Sequence, residues 1–408
     1  MAHSAKLTIL FLFAAVLFLT ETDDVEAQTS RYELLTSPDL WYNDVDGIRA
    51  GARIKGQVPG TFEDGPHRLD AGIWLGTWLP DLPVSYYLRY TEPISAWSDY
   101  GSEASVELVS LIRTGYHRHG AGFNKRWQQG FDERRYREFR TRTTFEQRFD
   151  DEYVQFPVLW SDQAKVLTRV TGELRNDNRL GWYNLSLNGT LQYLDDGFGT
   201  AELEAIQRVP FGETWGLRFR LFSGMATSNT LPEYLFPRSS SPAIDWISNG
   251  VTRAKGTIPQ PWMRSGNMNV SGGANLRGYT SADIATFRGD DPLPFLFNSV
   301  AAFNAELDYP NPIGVLFKQI PYASEFLTFR SYLFSDTGRS LGLSDGKPDT
   351  VFSNAGAGFA LSLNIPDYLG KPRGFVLRWE VPFWLSEPGD EDSFAFRSLF
   401  GFGAVITF

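Results

Sequence analysis

After residue 20, no stretch of this chain approaches the roughly 20 consecutive apolar residues that a membrane-crossing helix needs. Its segments show a period of two instead. From Asp46 to Val58, Ile48, Ala50, Ala52, Ile54 and Val58 fall on one face, and Arg49, Arg53 and Lys55 on the other. Gln163 to Asn176 sets Val166, Val170 and Leu174 against Lys165, Arg169, Glu173 and Arg175. In Thr214 to Ala226, Trp215, Leu217, Phe219 and Leu221 alternate with Arg218 and Arg220. Such a strand separates an apolar side from a polar one. The chain carries 12 Trp, 17 Tyr and 32 Phe while only 42% hydrophobic. That combination suits a transmembrane β-barrel, whose strands need only every second residue apolar.

The first residues read as a secretory signal. Lys6 precedes the apolar run Leu7 to Leu19, and Val25-Glu26-Ala27 offers a small-residue cleavage site. We expect a signal peptide over 1–27, a short N-terminal segment over 28–45 and an outer-membrane barrel over 46–408. The net charge of −10 gives no reason to expect nucleic acid as a partner. With no cysteine, disulfide scaffolds and thiol chemistry are excluded.

Strand patterns run through the chain between Gly, Pro, Asn and Asp clusters, with no convincing helix. Sixteen can be drawn, beginning at Asp46 and including weak ones near 246–257 and 262–273. The expected class is therefore all-β, an antiparallel 16-stranded transmembrane barrel. The connections 80–83, 177–180 and 212–213 are tight, as periplasmic turns are, and 227–245 and 275–297 are long, as outer loops are. Connections 118–132 and 310–324 are longer than that rule prefers. The last segment places Phe394, Phe396, Phe400, Phe402, Ala404, Ile406 and Phe408 on one face. A final strand closed by phenylalanine resembles the signal by which bacterial outer-membrane barrels are recognised for assembly, and Phe400, Phe402, Ile406 and Phe408 would form it.

One turn of small residues, Ser271-Gly-Gly-Ala-Asn-Leu-Arg-Gly-Tyr279, carries a single arginine. Two acidic residues follow on strands, Glu306 in Ala-Glu-Leu-Asp-Tyr and Asp336 in Phe-Ser-Asp-Thr-Gly. Parity turns both inward, because Phe303, Ala305 and Leu307 on one strand, and Leu327, Phe329 and Leu333 on the other, take the lipid face. A charge facing mid-bilayer lipid would cost ~2–4 kcal/mol. The glycines do not indicate a phosphate loop, since no helix follows to supply its dipole.

Arg277-Gly278-Tyr279 resembles the arginine–glycine–aromatic loop motif of the BamA/TamA/FhaC superfamily, the bacterial surface-antigen family. The resemblance implies a sixth outer loop folded into the lumen. It also implies that a glutamate on strand 12 and an aspartate on strand 13 hold the arginine, and Glu306 and Asp336 match those positions. The periplasmic POTRA domains that normally precede such a barrel have no counterpart here, so a barrel-only member is expected. The implied function is insertion or translocation of outer-membrane or secreted client proteins within outer-membrane lipid. A periplasmic or lipoprotein partner would replace the missing domains. The other reading is a passive channel, or the membrane anchor or scaffold of a complex.

No catalytic site is nominated, for there is neither His-Glu-x-x-His nor Gly-x-Ser-x-Gly. We expect no enzyme, no cofactor and no metal. His117 and His119 share a strand face without a carboxylate cluster beside them. Arg49, Arg53, Arg169, Arg175, Arg218, Arg220, Arg330 and Arg378 read as lumen lining that either favours anionic solutes or simply pairs with Glu173, Glu306, Asp308 and Glu380. Gly47, Gly51 and Gly56 on the expected first strand, with Gly401 and Gly403 on the last, suggest a weak seam.

Overall fold

The computed structural model describes residues 32–128, 132, 134–212, 215–281, 295–320, 326–340, 350–365 and 373–405. One seventeen-stranded sheet dominates, made of sixteen wall strands and the two-residue segment Met268–Asn269. The wall begins β1 (Glu33–Asn43), β2 (Gly47–Gln57), β3 (Arg68–Gly76), β4 (Val84–Pro93), β5 (Ser102–Arg113) and β6 (Tyr116–Gln128). It continues β7 (Tyr136–Arg148), β8 (Lys165–Asn178), β9 (Gly181–Gln192), β10 (Gly199–Phe211) and β11 (Trp215–Ala226). It ends β12 (Ser299–Tyr309), β13 (Leu327–Ser340), β14 (Val351–Ile365), β15 (Arg373–Leu385) and β16 (Leu399–Val405). Each is antiparallel to the next in chain order.

Alternation sorts the wall into two faces. Leu34, Leu40, Ile48, Leu108, Leu187, Leu221, Phe303 and Leu333 stand exposed on the outside. An exposed apolar face of this extent on every part of a sheet is what lipid contact demands. Inside lie most of the charged residues of the wall, many of them in ion pairs. Glu146 receives Arg118 and Arg169, Arg175 binds Glu173 at 2.7 Å, and Arg330 binds Asp308 at 2.5 Å.

The count of sixteen agrees with expectation, but its membership does not. Glu33–Asn43, expected as a short N-terminal segment, is the first strand, so the barrel begins before residue 46. Its Ser37-Pro38-Asp39 core reads as a turn. Yet Leu34, Thr36, Pro38, Leu40 and Tyr42 all face outward, and an edge strand can carry a proline. Of the connection expected over 118–132, residues 118–128 belong to β6. Conversely, 246–257 contains no strand, and only Met268–Asn269 of 262–273 joins the sheet. The last strand starts at Leu399, and Phe394 makes only an isolated bridge to Trp384.

These changes also move the turns. The 80–83 turn lies at the same end as the long 227–298 connection, opposite 179–180 and 212–214. Gly47, Gly51 and Gly56 belong to β2, which is paired on both sides, and therefore do not mark a seam. A Cβ on Gly51 would lie 2.2 Å from the Trp74 ring, so packing explains that glycine.

The described residues of the 227–298 connection, 227–281 and 295–298, build a folded cap at their end of the barrel. Phe236, Ala274, Leu276, Tyr279 and Phe297 pack against Phe222, Val300, Ala302, Phe352 and Leu385 of the wall. A second cluster joins Trp246, Ile258, Met263 and Met268 to Phe156, Leu159 and Trp160 of the β7–β8 connection. Among the described residues no ladder joins β1 to β16. The cap lies between them. Asp44 N–H donates to the Lys255 carbonyl at 2.9 Å, and Phe400 N–H donates to the Asn267 carbonyl at 2.7 Å. Met268–Asn269 runs parallel to Phe400–Gly401. The β1–β2 turn and the last strand thus contact one and the same loop, as in a sheet rolled into a barrel.

Candidate functional site

Arg277 sits in a single 3-10 turn, Arg277–Tyr279, at the inner tip of the cap. Its side chain is 1% exposed and forks onto Asp336. Nε donates to Oδ2 at 2.9 Å and Nη2 to Oδ1 at 2.7 Å, while the Arg277 backbone N–H donates to the same Oδ2 at 3.2 Å. Nη1 donates to Glu306 Oε1 and to Glu380 Oε1, both at 2.9 Å. The Phe334 ring lies 3.9 Å below the guanidinium carbon. Bidentate, charge-assisted bonds of this kind are among the strongest and most directional a side chain makes. Burial by itself would lower the pKa of Arg277. The facing carboxylates of Asp336 and Glu380 outweigh that and hold it well above the ordinary value. The group is charged at any physiological pH.

The strands place these partners by their period of two. Glu306 is on β12, Asp336 on β13 and Glu380 on β15, all facing inward. Each carboxylate is held in turn. Asp336 Oδ1 accepts from Asn304 Nδ2 at 3.0 Å, Glu380 Oε1 from the Tyr332 hydroxyl at 2.7 Å, and Glu306 Oε2 from Arg330 Nη2 at 2.6 Å. Asn304 Nδ2 also reaches the carbonyls of Ala274 and Asn275, at 3.3 and 3.2 Å, which ties the turn before Arg277 to the wall.

Gly278 and Tyr279 complete the contact. A Cβ on Gly278 would come within 2.3 Å of Leu385 Cδ2 and 2.8 Å of Asn354 Cβ, so only glycine lets the turn approach the wall so closely. The Tyr279 hydroxyl donates to the Ser353 carbonyl at 2.9 Å, and its ring meets Phe352 edge-on at 5.2 Å. Arg277, Gly278, Tyr279, Glu306 and Asp336 are therefore brought together.

Sequence reasoning misses one participant of this site and one ion pair that holds the cap elsewhere. Glu380 was read only as a lumenal partner of the basic set, although parity on β15 places it inside. Glu233, in the cap turn Pro232–Tyr234, makes a buried ion pair with Lys165 of β8 at 3.1 Å. Nothing in the local sequence signals that pair, because its members are 68 positions apart and one lies in a loop. Of the C-terminal residues, Phe400 stacks on Trp262 of the cap at 5.8 Å, and Phe402 packs against the second cap cluster. Ile406 and Phe408, like the expected signal peptide, lie outside the described residues.

No protein-family model and no curated protein matches the chain. Among solved structures it is similar to BamA from Haemophilus ducreyi lacking POTRA domains 1–3, at 12% identity and a TM-score of 0.48. That match covers 91% of this chain and 70% of the other. It is also similar to CdiB from Acinetobacter baumannii, at 12% identity and a TM-score of 0.42, over 92% of this chain and 60% of that one. A third match is a bacterial polysaccharide outer membrane secretin, at 12% identity and a TM-score of 0.38, over 86% and 92% of the two chains. The class the strands and the cap define is an all-β, antiparallel barrel of sixteen wall strands with a connecting loop folded into its lumen.

Proposed function

We propose that this chain is an outer-membrane β-barrel of the BamA-type superfamily. In this reading it acts in the insertion or translocation of proteins at the outer membrane, together with a separate periplasmic or lipoprotein partner. The observation that carries the reading is the fork of Arg277 on Asp336, with Glu306 and Glu380 alongside. These carboxylates project from the twelfth, thirteenth and fifteenth wall strands onto one arginine of the loop between strands 11 and 12. A structural arginine needs one partner, and a site that supplies three carboxylates fixes the position of a whole loop. The exposed apolar outer face supports placement in a bilayer. On this reading the cap faces outward, and Phe400, Phe402, Ile406 and Phe408 serve as the assembly signal.

The cap also weighs against the passive-channel reading. Its two apolar clusters join the loop to the wall strands and to the β7–β8 connection, and a steady aqueous path would have to displace them.

The deciding experiment is depletion in the native host combined with planar-bilayer recording of the purified protein. Loss of folded outer-membrane or secreted proteins on depletion, restored by the wild type and not by Arg277→Ala, is the expected result. Unaltered assembly after depletion, with a large steady conductance, would replace this reading with the channel. A pull-down in mild detergent identifies the partner.

A further inference from the structure

Against the pinned loop lies a cavity of about 260 Å³. β10, β11, β12 and β15 form its walls, and Ser271, Gly272 and Asn275 of the loop form its roof. Four arginines line it, Arg208, Arg218, Arg220 and Arg378, against two carboxylates, Glu204 and Glu306. Both carboxylates are already engaged. Glu204 accepts from Arg220 Nε at 2.5 Å, and Glu306 is divided among Arg277, Arg330 and, at 3.5 Å, Arg218. Among the described residues, Arg208 and Arg378 pair with no carboxylate.

The placement of these cations is unusual. Arg208 stands directly opposite Arg218 in the β10–β11 ladder, where like charges repel. Arg208 rests over the Trp182 ring at 5.0 Å, and Arg218 Nε is buried with no hydrogen-bond partner. Arg378 has its room because Gly401 faces it; a Cβ there would approach Nε to 3.1 Å. Two cations without a direct ion pair and a buried free donor therefore converge on one space.

We propose that this cavity binds a small oxyanion of the phosphate type. A guanidinium fork matches the geometry of a phosphate, and among the lining residues the four arginines outnumber the two carboxylates. The volume equals several waters at about 30 Å³ each, enough for a phosphate group with part of its hydration shell. Inorganic phosphate and the phosphate of a lipid headgroup present the same chemistry. The site does not depend on whether the barrel assembles other proteins, since it rests on the charge of the lumen alone.

The test is thermal unfolding of the full chain in neutral detergent, titrated with inorganic phosphate against chloride at matched ionic strength. Phosphate should stabilise the wild type saturably and chloride should not. Arg208→Gln and Arg378→Gln, which leave the Arg277 contacts intact, should each raise the half-saturating phosphate concentration about tenfold, the effect of losing one charge-assisted hydrogen bond. Either variant suffices if the other fails to fold, and heat-dependent migration on gels reports folding without phosphate. No phosphate effect beyond that of chloride, or an equal effect in the wild type and every folded variant, overturns the proposal. A parallel titration with a short-chain phosphatidic acid separates the sources. Half-saturation at a lower concentration than phosphate assigns a lipid headgroup, and a weaker effect assigns the free ion.

Discussion

Lys165 Nζ lies 3.1 Å from Glu233 Oε1, and the two side chains are 1% and 0% exposed. Lys165 also donates to the carbonyls of Ser161 and Gln163, each at 3.2 Å. Because Lys165 belongs to β8 and Glu233 to the cap, the loop that Arg277 fastens to β12, β13 and β15 is fastened to a different part of the wall as well. Removing one member of a buried pair strands the other charge, at a cost of roughly 3–5 kcal/mol, whereas replacing both by apolar residues is often neutral or stabilising. Lys165→Met and Glu233→Leu should therefore each destabilise strongly, and the double variant should recover most of the loss. A double-mutant cycle on unfolding in detergent measures this, and additive losses would refute it.

Arg277→Ala leaves Asp336, Glu306 and Glu380 facing one another without their shared cation, so a loss of about 3–5 kcal/mol is expected. Arg277→Lys keeps the charge and loses the fork, and should fall between the two. The readouts are the unfolding temperature in detergent and new protease cleavage within residues 227–281. A resistant loop in the alanine variant would show that the apolar cluster alone holds it.

Gly278→Ala tests close approach without touching any charge. Its methyl would have to displace Leu385 or Asn354, and overpacking of this kind costs about 1–3 kcal/mol. The same unfolding assay should detect it. Adding Leu385→Ala should relieve part of the clash, although it opens space of its own.

The closure of the barrel through its loop can be tested by cross-linking, because the chain has no native cysteine. Asn269 and Gly401 are register partners in the parallel contact between cap and β16. Asn269→Cys with Gly401→Cys should form a disulfide under mild oxidation and raise heat resistance. If β1 occupied that edge instead, the two positions would be too far apart to join.

What the sequence made legible was the parity of strands. Glu306 and Asp336 could be turned inward because Phe303, Leu307, Leu327 and Leu333 leave no doubt about the outer face. The same rule would have brought in Glu380. Strand identity was harder. The outward residues of β6 include His117, His119 and Lys125, so its alternation is concealed, and β1 carries Ser37-Pro38-Asp39, residue types that favour turns, in its middle. The two segments wrongly read as strands owe their apolar residues to another cause. Trp246, Ile258, Met263 and Met268 form the interior of the cap, where burial selects the residue types that lipid contact also selects. Composition cannot tell these environments apart. Two omissions and two additions cancelled, which is why the total was sixteen. Loop-to-wall pairs such as Lys165 with Glu233 join segments distant in the chain and follow no period, so only the fold reveals them.

Surface loops ordinarily tolerate changes in length, because closing a slightly longer loop costs little. Residues 255–269 form a different kind of loop. At one end Lys255 is bonded to the β1–β2 turn, and at the other Asn267 to Asn269 lie along β16. The span between those contacts is tethered at both ends, to the β1–β2 turn and to β16, so it has no slack of its own. An insertion there would have to bulge away from the sheet or give up one of the two contacts that hold the first and last strands to the same loop.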